Sequence, residues 1–115
     1  DELVSIVSDV AGYNVLVTAN HITGVTWSYH GTKLNDASHT YLVNSINNSN
    51  AVKLDFSNSC ITVQDLLAMN VSSLTYLDIT GSAIENVEVG TQEYADLMTF
   101  LDGIRNSGVV LHTNL

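Results

Sequence analysis

Four histidines, one cysteine and twelve carboxylates are the side chains of this 115-residue chain that could serve as acids, bases, nucleophiles or metal ligands. Their spacing assembles none of these functions. His21, His30, His39 and His112 include no pair at i, i+4, and none stands at a Cys/His spacing that zinc requires, so they read as scattered polar residues with no metal site. Cys60 stands alone, which excludes an internal disulfide. Between Ser59 and Ile61 it reads as a small buried filler, although a helix opening at Thr62 is the kind of neighbour that activates a thiol. The serines lack a nucleophile elbow with a placed base, and no separated carboxylate pair can be assigned to acid and base roles. Gly81, Gly90 and Gly108 are isolated turn or cap positions, not a phosphate-cradling loop. The expectation is a non-catalytic protein with no cofactor. Asn47-Asn48-Ser49 and Asn70-Val71-Ser72 fit the glycosylation sequon, but Asn, Ser and Thr number 35 of 115 residues, so such matches arise by chance.

One constellation has a direction. In Lys53-Leu54-Asp55-Phe56-Ser57 the period of 2 puts Leu54 and Phe56 on one side and Lys53, Asp55 and Ser57 on the other. Tyr76, Asp78 and Thr80 oppose Leu77 and Ile79 in the same way. If the two segments are adjacent parallel strands, Asp55 and Asp78 lie side by side, where like charges about 5 Å apart are mildly destabilising. Such a pair suits a cation, a basic ligand or plain solvation screened by Lys53. Lys53, Asp55, Tyr76 and Asp78 are therefore the candidate ligand-binding residues. Trp27 and Tyr29 could form an aromatic patch, but their alternation with polar residues places them in the core of a half-buried strand.

The elements that must position these residues are strands alternating with helices. Leu3, Ile6, Val7 and Val10 recur at i, i+3, i+4 and i+7 and predict a short N-terminal helix stopped by Gly12. Asn14 to Thr18 reads as a β-branched strand, and Gly24 to Tyr29 as another, half-buried one. Asp36 or Ser38 caps a helix bearing Tyr41, Leu42, Val43 and Ile46 that runs out in Asn47-Asn48-Ser49-Asn50. After a strand over Ala51 to Phe56, Thr62 and Asp65 resemble a capping box opening a short helix through Leu66 and Leu67. A strand follows at Leu74 to Thr80. From Thr91, the apolar positions Tyr94, Leu97, Met98, Leu101 and Ile104 mark an amphipathic helix stopped by Asn106-Ser107-Gly108, with a last strand at Val109 to Leu111. Strands alternating with helices imply an α/β class with a largely parallel sheet. The chain reads as a single domain over 1–115, with an N-terminal part at 1–50 and repeat-like strand-helix units at 51–115.

The repeat is internal. Leu54-Asp55-Phe56-Ser57-Asn58-Ser59-Cys60-Ile61 matches Leu77-Asp78-Ile79-Thr80-Gly81-Ser82-Ala83-Ile84 position by position. A weaker copy starts at Val15 and a truncated one at Val109, giving intervals of 39, 23 and 32 residues. Only the middle interval is typical of a leucine-rich repeat, a strand and turn whose Asn or Ser satisfies backbone groups. The array is therefore irregular.

Ile61-Thr62, Asp65-Leu66, Leu74 to Gly81 with Ile84, then Tyr94-Ala95-Asp96-Leu97 and Phe100-Leu101, resemble the leucine-rich repeats of internalin-like bacterial surface proteins. Leu101 to Val110 resembles the helix-then-strand that finishes such arrays. The likeness covers about residues 52–112; residues 1–50 match it poorly. It implies a recognition module that binds through its exposed sheet face. A competing resemblance, carried by Val52 to Ser57 and Cys60 to Gln64, is to the anti-sigma-factor-antagonist (STAS) fold, a mixed sheet with helices that docks partner proteins inside the cell. Val63 occupies the position of that fold's phosphorylatable serine.

Charge limits the partners. Three basic residues against twelve acidic ones give −9, which repels nucleic acid and anionic lipid. No run approaches the ~18–20 apolar residues needed to cross a bilayer, so no membrane insertion is expected. The lysine-poor, amide- and hydroxyl-rich composition suggests a secreted, cell-surface or virion protein with a protein or glycan partner. Neighbouring domains of a longer chain are also candidate partners.

Overall fold

The computed structural model describes residues 3–10, 13–20, 24–31 and 36–115, with the first two of these stretches described as backbone alone. Six strands form one sheet in sequence order: β1 (Leu3–Val10), β2 (Tyr13–Asn20), β3 (Gly24–Ser28), β4 (Lys53–Asp55), β5 (Tyr76–Asp78) and β6 (Val110–His112). β1, β2 and β3 pair antiparallel, whereas β3, β4, β5 and β6 form a run of four parallel strands. The crossovers contain α1 (Asp36–Ser49), α2 (Val63–Leu67) and α3 (Gln92–Asn106), with a 3₁₀ turn at Ala83–Asn86 ahead of α3. The class is α/β with a largely parallel sheet, as the alternating pattern predicts.

Strand order equals chain order, so each crossover steps one strand further in the same direction. Connections of one hand then deliver every helix to the same side of the sheet. The core lies there. Leu42 and Ile46 of α1, Leu66 of α2, and Leu97 and Leu101 of α3 are fully buried with Leu54, Phe56, Leu77 and Ile79 from the sheet side. Each such leucine or isoleucine contributes about 1.5–3 kcal/mol by leaving water.

The matched repeats have a physical cause at nearly every position. Leu54 and Leu77 are in register, as are Asp55 and Asp78. The Asp55 Oδ1 accepts from the Ser57 hydroxyl (2.9 Å) and amide (3.2 Å), and the Asp78 Oδ1 accepts from the Thr80 amide (3.0 Å), so each aspartate turns its own chain out of the strand. Asn58 and Gly81 then adopt positive φ, +55° and +71°. The buried Ser59 and Ser82 hydroxyls donate back to Phe56 and Ile79 carbonyls, both at 2.7 Å, and Ile61 and Ile84 re-enter the core.

Caps set the helix ends. Thr62 and Asp65 make the expected capping box: the Thr62 side chain accepts from the Asp65 amide, and the Asp65 carboxylate accepts from the Thr62 amide. The Thr91 hydroxyl accepts from the Tyr94 amide at 3.1 Å, and Gly108, at φ +85°, follows the end of α3. Asn50, at φ +53°, ends α1.

Several sequence expectations are corrected. Residues Leu3–Val10 form a strand, not a helix. Val4, Ile6, Val7 and Val10 are β-branched, and one short helix would be marginal alone. The strand instead pairs with β2 over eight residues, from Leu3 opposite Asn20 to Val10 opposite Tyr13. Gly12, the expected helix stop, lies outside the described residues. The strand holding Val15 is antiparallel to its neighbour β3, so the weak repeat copy belongs to β3 instead, where Trp27 pairs with Leu54. At the other end Leu111, not Val109, takes the position of Leu77. Asp36 is a first-turn residue of α1 and not its cap. Tyr41 points outward at 60% exposure, one residue off the Leu42–Ile46 stripe, and Leu67 is likewise exposed. Cys60 is half-buried, not a fully buried filler.

Candidate functional site

The side of β3–β6 opposite the helices carries no packed layer among the described residues. A parallel sheet is ordinarily covered on both faces. Here the strand register arranges the uncovered face into lateral rows. One row runs Thr26, Lys53, Tyr76, Val110, and the next Ser28, Asp55, Asp78, His112. Lys53, Val110 and His112 are exposed, and Thr26, Ser28, Asp55, Tyr76 and Asp78 are half-exposed. The period of 2 thus places Lys53, Asp55, Tyr76 and Asp78 on one surface, while Leu54 and Leu77 between them are fully buried.

The geometry separates the aspartates' two jobs. Each Oδ1 is engaged by its own turn, which leaves the Oδ2 atoms for the face. The Asp55 Oδ2 lies 3.6 Å from His30 Nε2. The His30 Nδ1 sits 2.7 Å from the Ser57 carbonyl oxygen, which can only accept, so the ring proton belongs on Nδ1.

Tyr76 forms the aromatic centre. Its ring lies 5.2 Å from that of His112 at an interplanar angle of 50°, a tilted aromatic pair. Partial burial, then the carboxylates of Asp78 and Asp55, push the Tyr76 hydroxyl above its ordinary value, so it remains a neutral donor near pH 7. Trp27 and Tyr29 take no part in the face: at 6% and 3% exposure they belong to the core, as their alternation predicts, and the Trp27 indole donates to Ser49 Oγ at 2.9 Å.

Besides Thr26, Ser28 and Val110, the face gains two ionisable residues that the candidate set lacks. His30 and His112 flank the aspartates instead of being scattered. The signal was positional: His30 takes the place of Ser57 and Thr80, and His112 that of Asp78, once β3 and β6 are aligned as units. His21 lies outside the described residues. His39 belongs elsewhere, with its Nδ1 2.6 Å from the buried Asp65 across α1 and α2.

Among the described residues no three of His, Cys, Asp and Glu converge as a metal site would require. Burial pushes the Cys60 thiol up, with Asp65 adding to the effect and a hydrogen bond from Tyr29 opposing it, so the group stays protonated. No helix among the described residues is long and apolar enough to cross a membrane. Comparison with protein-family models, with curated proteins and with solved structures finds no match to this chain.

Proposed function

We propose that the chain is a non-catalytic recognition or structural module of a larger secreted, cell-surface or virion protein, and that it binds a protein or glycan partner through the open face of β3–β6. The observation that carries this reading is the parallel face that no described residue covers, with Tyr76 at its centre and Lys53, Asp55, Asp78, His30 and His112 around it. A face this polar needs no permanent cover to satisfy it. Strand pairing sets these residues in lateral register, and a surface whose geometry is set in advance lowers the ordering cost of binding. The turn chemistry of the two matched units and their 23-residue spacing support the leucine-rich-repeat-like reading.

The test is binding of the wild-type chain to arrays of glycans and of secreted and surface proteins, repeated with Tyr76→Ala, Asp55→Asn with Asp78→Asn, and a helix-side control, Tyr41→Ala. The face variants are expected to lose at least tenfold in affinity while the control binds normally. Equal binding by all would remove the open face as the site.

A second reading is an intracellular STAS-like docking domain without a phosphosite. The antiparallel β1–β3 start and the helices on one side support it, whereas the simple consecutive order of the parallel strands β3–β6 counts against it. It predicts that the partner footprint falls on the helices.

A further inference from the structure

The chain carries two glycosylation sequons, and the fold treats them oppositely. Asn47-Asn48-Ser49 lies in the last turn of α1 with its functional groups already engaged. The Asn47 amide donates to the Ala68 carbonyl at 3.0 Å, and its Oδ1 accepts from the Asn70 amide nitrogen of the backbone at 2.6 Å. The Ser49 hydroxyl donates to the Ile46 carbonyl at 2.7 Å and accepts from the Trp27 indole. Modifying Asn47 would break the clamp between α1 and the end of α2.

Asn70-Val71-Ser72 is the reverse case. It lies in the irregular segment after α2, where Asn70 and Ser72 are exposed and Val71 is half-buried. The Asn70 Oδ1 accepts from the Ser72 amide at 3.1 Å, so the asparagine folds back toward its own serine. Among the described residues neither the Asn70 Nδ2 nor the Ser72 hydroxyl has a hydrogen-bond partner, which leaves the nucleophilic nitrogen and the sequon hydroxyl free on the same turn. The backbone is held in place by Asn47, so the first sequon anchors the display of the second. Beside it lies a hollow of about 430 Å³ bordered by Val71, Ser72, Thr99, Phe100 and Gly103, with room for a first sugar against partly apolar walls.

We propose that Asn70 is an N-glycan acceptor and that Asn47 is not. The inference rests on the export part of the proposed function, since a glycosylating compartment must be entered. In the transfer, Asn70 Nδ2 forms a bond to C1 of the first sugar of a lipid-pyrophosphate-linked oligosaccharide. The bond from C1 to the phosphate oxygen breaks, the lipid pyrophosphate leaves with that electron pair, and the Nδ2 proton passes to a base of the transferase. A glycan here sits on the helix side and leaves the open sheet face clear.

The experiment incubates the purified, folded 115-residue chain with an oligosaccharyltransferase and a lipid-linked oligosaccharide. A flexible Asn-Gly-Thr acceptor appended beyond Leu115 confirms that transfer has occurred, and only molecules modified on this tag are scored. The expected result is two glycans on the wild type, and one on Asn70→Gln and on Ser72→Ala. A wild type carrying only the tag glycan, or a second glycan that survives Asn70→Gln, overturns the proposal; a third glycan on Asn47 overturns its selectivity. Because purified protein is used, failure here is distinguishable from failure of the export reading, which is checked by finding the chain outside its producing cell.

Discussion

Asp78 lies directly beside Asp55 in the parallel register of β5 on β4, and each carboxylate gives its Oδ1 to the turn that follows its own strand. Two like charges are thereby held together by local turn chemistry instead of by attraction to each other. The repeat's most distinctive residue has a structural role before it has any functional one.

Substitutions at these positions should therefore divide by acceptor and not by charge. Asp55→Ala and Asp78→Ala each remove a turn acceptor and are expected to cost about 0.5–1.5 kcal/mol. Asn at either position retains an oxygen acceptor and relieves the like-charge contact, so it should be neutral or stabilising by a few tenths of a kcal/mol. Urea unfolding of the four single variants checks this; equal losses for Ala and Asn would show that the turn bonds do not matter.

Gly81 combines positive φ with a close neighbour. A Cβ there would stand 2.4 Å from the Asn58 Oδ1, whereas at Gly90, also at positive φ, it would meet nothing within 4 Å. Gly90→Ala is expected to cost only the left-handed backbone penalty, about 1–2 kcal/mol. Gly81→Ala should cost about the same, because the Oδ1 is the far end of the exposed Asn58 side chain and can swing away; thermal or urea unfolding of the pair checks this, and a clearly larger loss at Gly81 would show that Asn58 is held in place.

Glu85 ties the end of the chain to the last turn. Burial pushes its carboxyl up, but hydrogen bonds from Thr113, from the Asn114 backbone and side chain, and from the Gly81 amide outweigh that and hold it below its ordinary value. With the folded value below the unfolded one, the stabilisation is complete above the unfolded carboxyl range and is lost as pH falls through the folded value. The protection factor of the Asn114 amide, its exchange rate compared with the intrinsic rate at the same pH, should be high at pH 7 and fall in acid. Glu85→Gln should exchange faster at pH 7 and lose most of that acid dependence.

Asp65 serves α1 and α2 at once, as the capping-box acceptor for Thr62 and as the partner of His39. Asp65→Ala is expected to cost about 1.5–3 kcal/mol, as for a hydrogen-bonded charged group. His39→Ala should cost less, because the capping box survives it. A double-mutant cycle between the two positions should return a favourable coupling; a zero coupling would mean that the 2.6 Å contact contributes nothing.

Much of the parallel half was legible because local signals and tertiary structure agree there. Leu54 to Ile61 and Leu77 to Ile84 announce their turns through Asp, Asn or Gly, and Ser, and Thr62 and Thr91 announce their helices. The N-terminal strand was not legible: Leu3, Ile6, Val7 and Val10 fit a helical stripe, and what decides for the strand is its eight-residue pairing with the next strand, β2, which the stripe within residues 3–10 does not contain. The face was legible only in its centre. Lys53, Asp55, Tyr76 and Asp78 follow from a period of 2 within two matched units. His30 and His112 sit in units whose turn residues have diverged, so only the register reveals that they border the same surface.

A partner seated on the open face of β3–β6 would perturb the signals of the residues it covers. The most direct measurement is amide and side-chain chemical-shift mapping by NMR of the labelled chain against a partner recovered from the arrays. The perturbed signals are predicted to cluster on Thr26, Lys53, Asp55, Tyr76, Asp78 and His112. A cluster on the outer surfaces of α1, α2 and α3, with these six unmoved, would contradict the account.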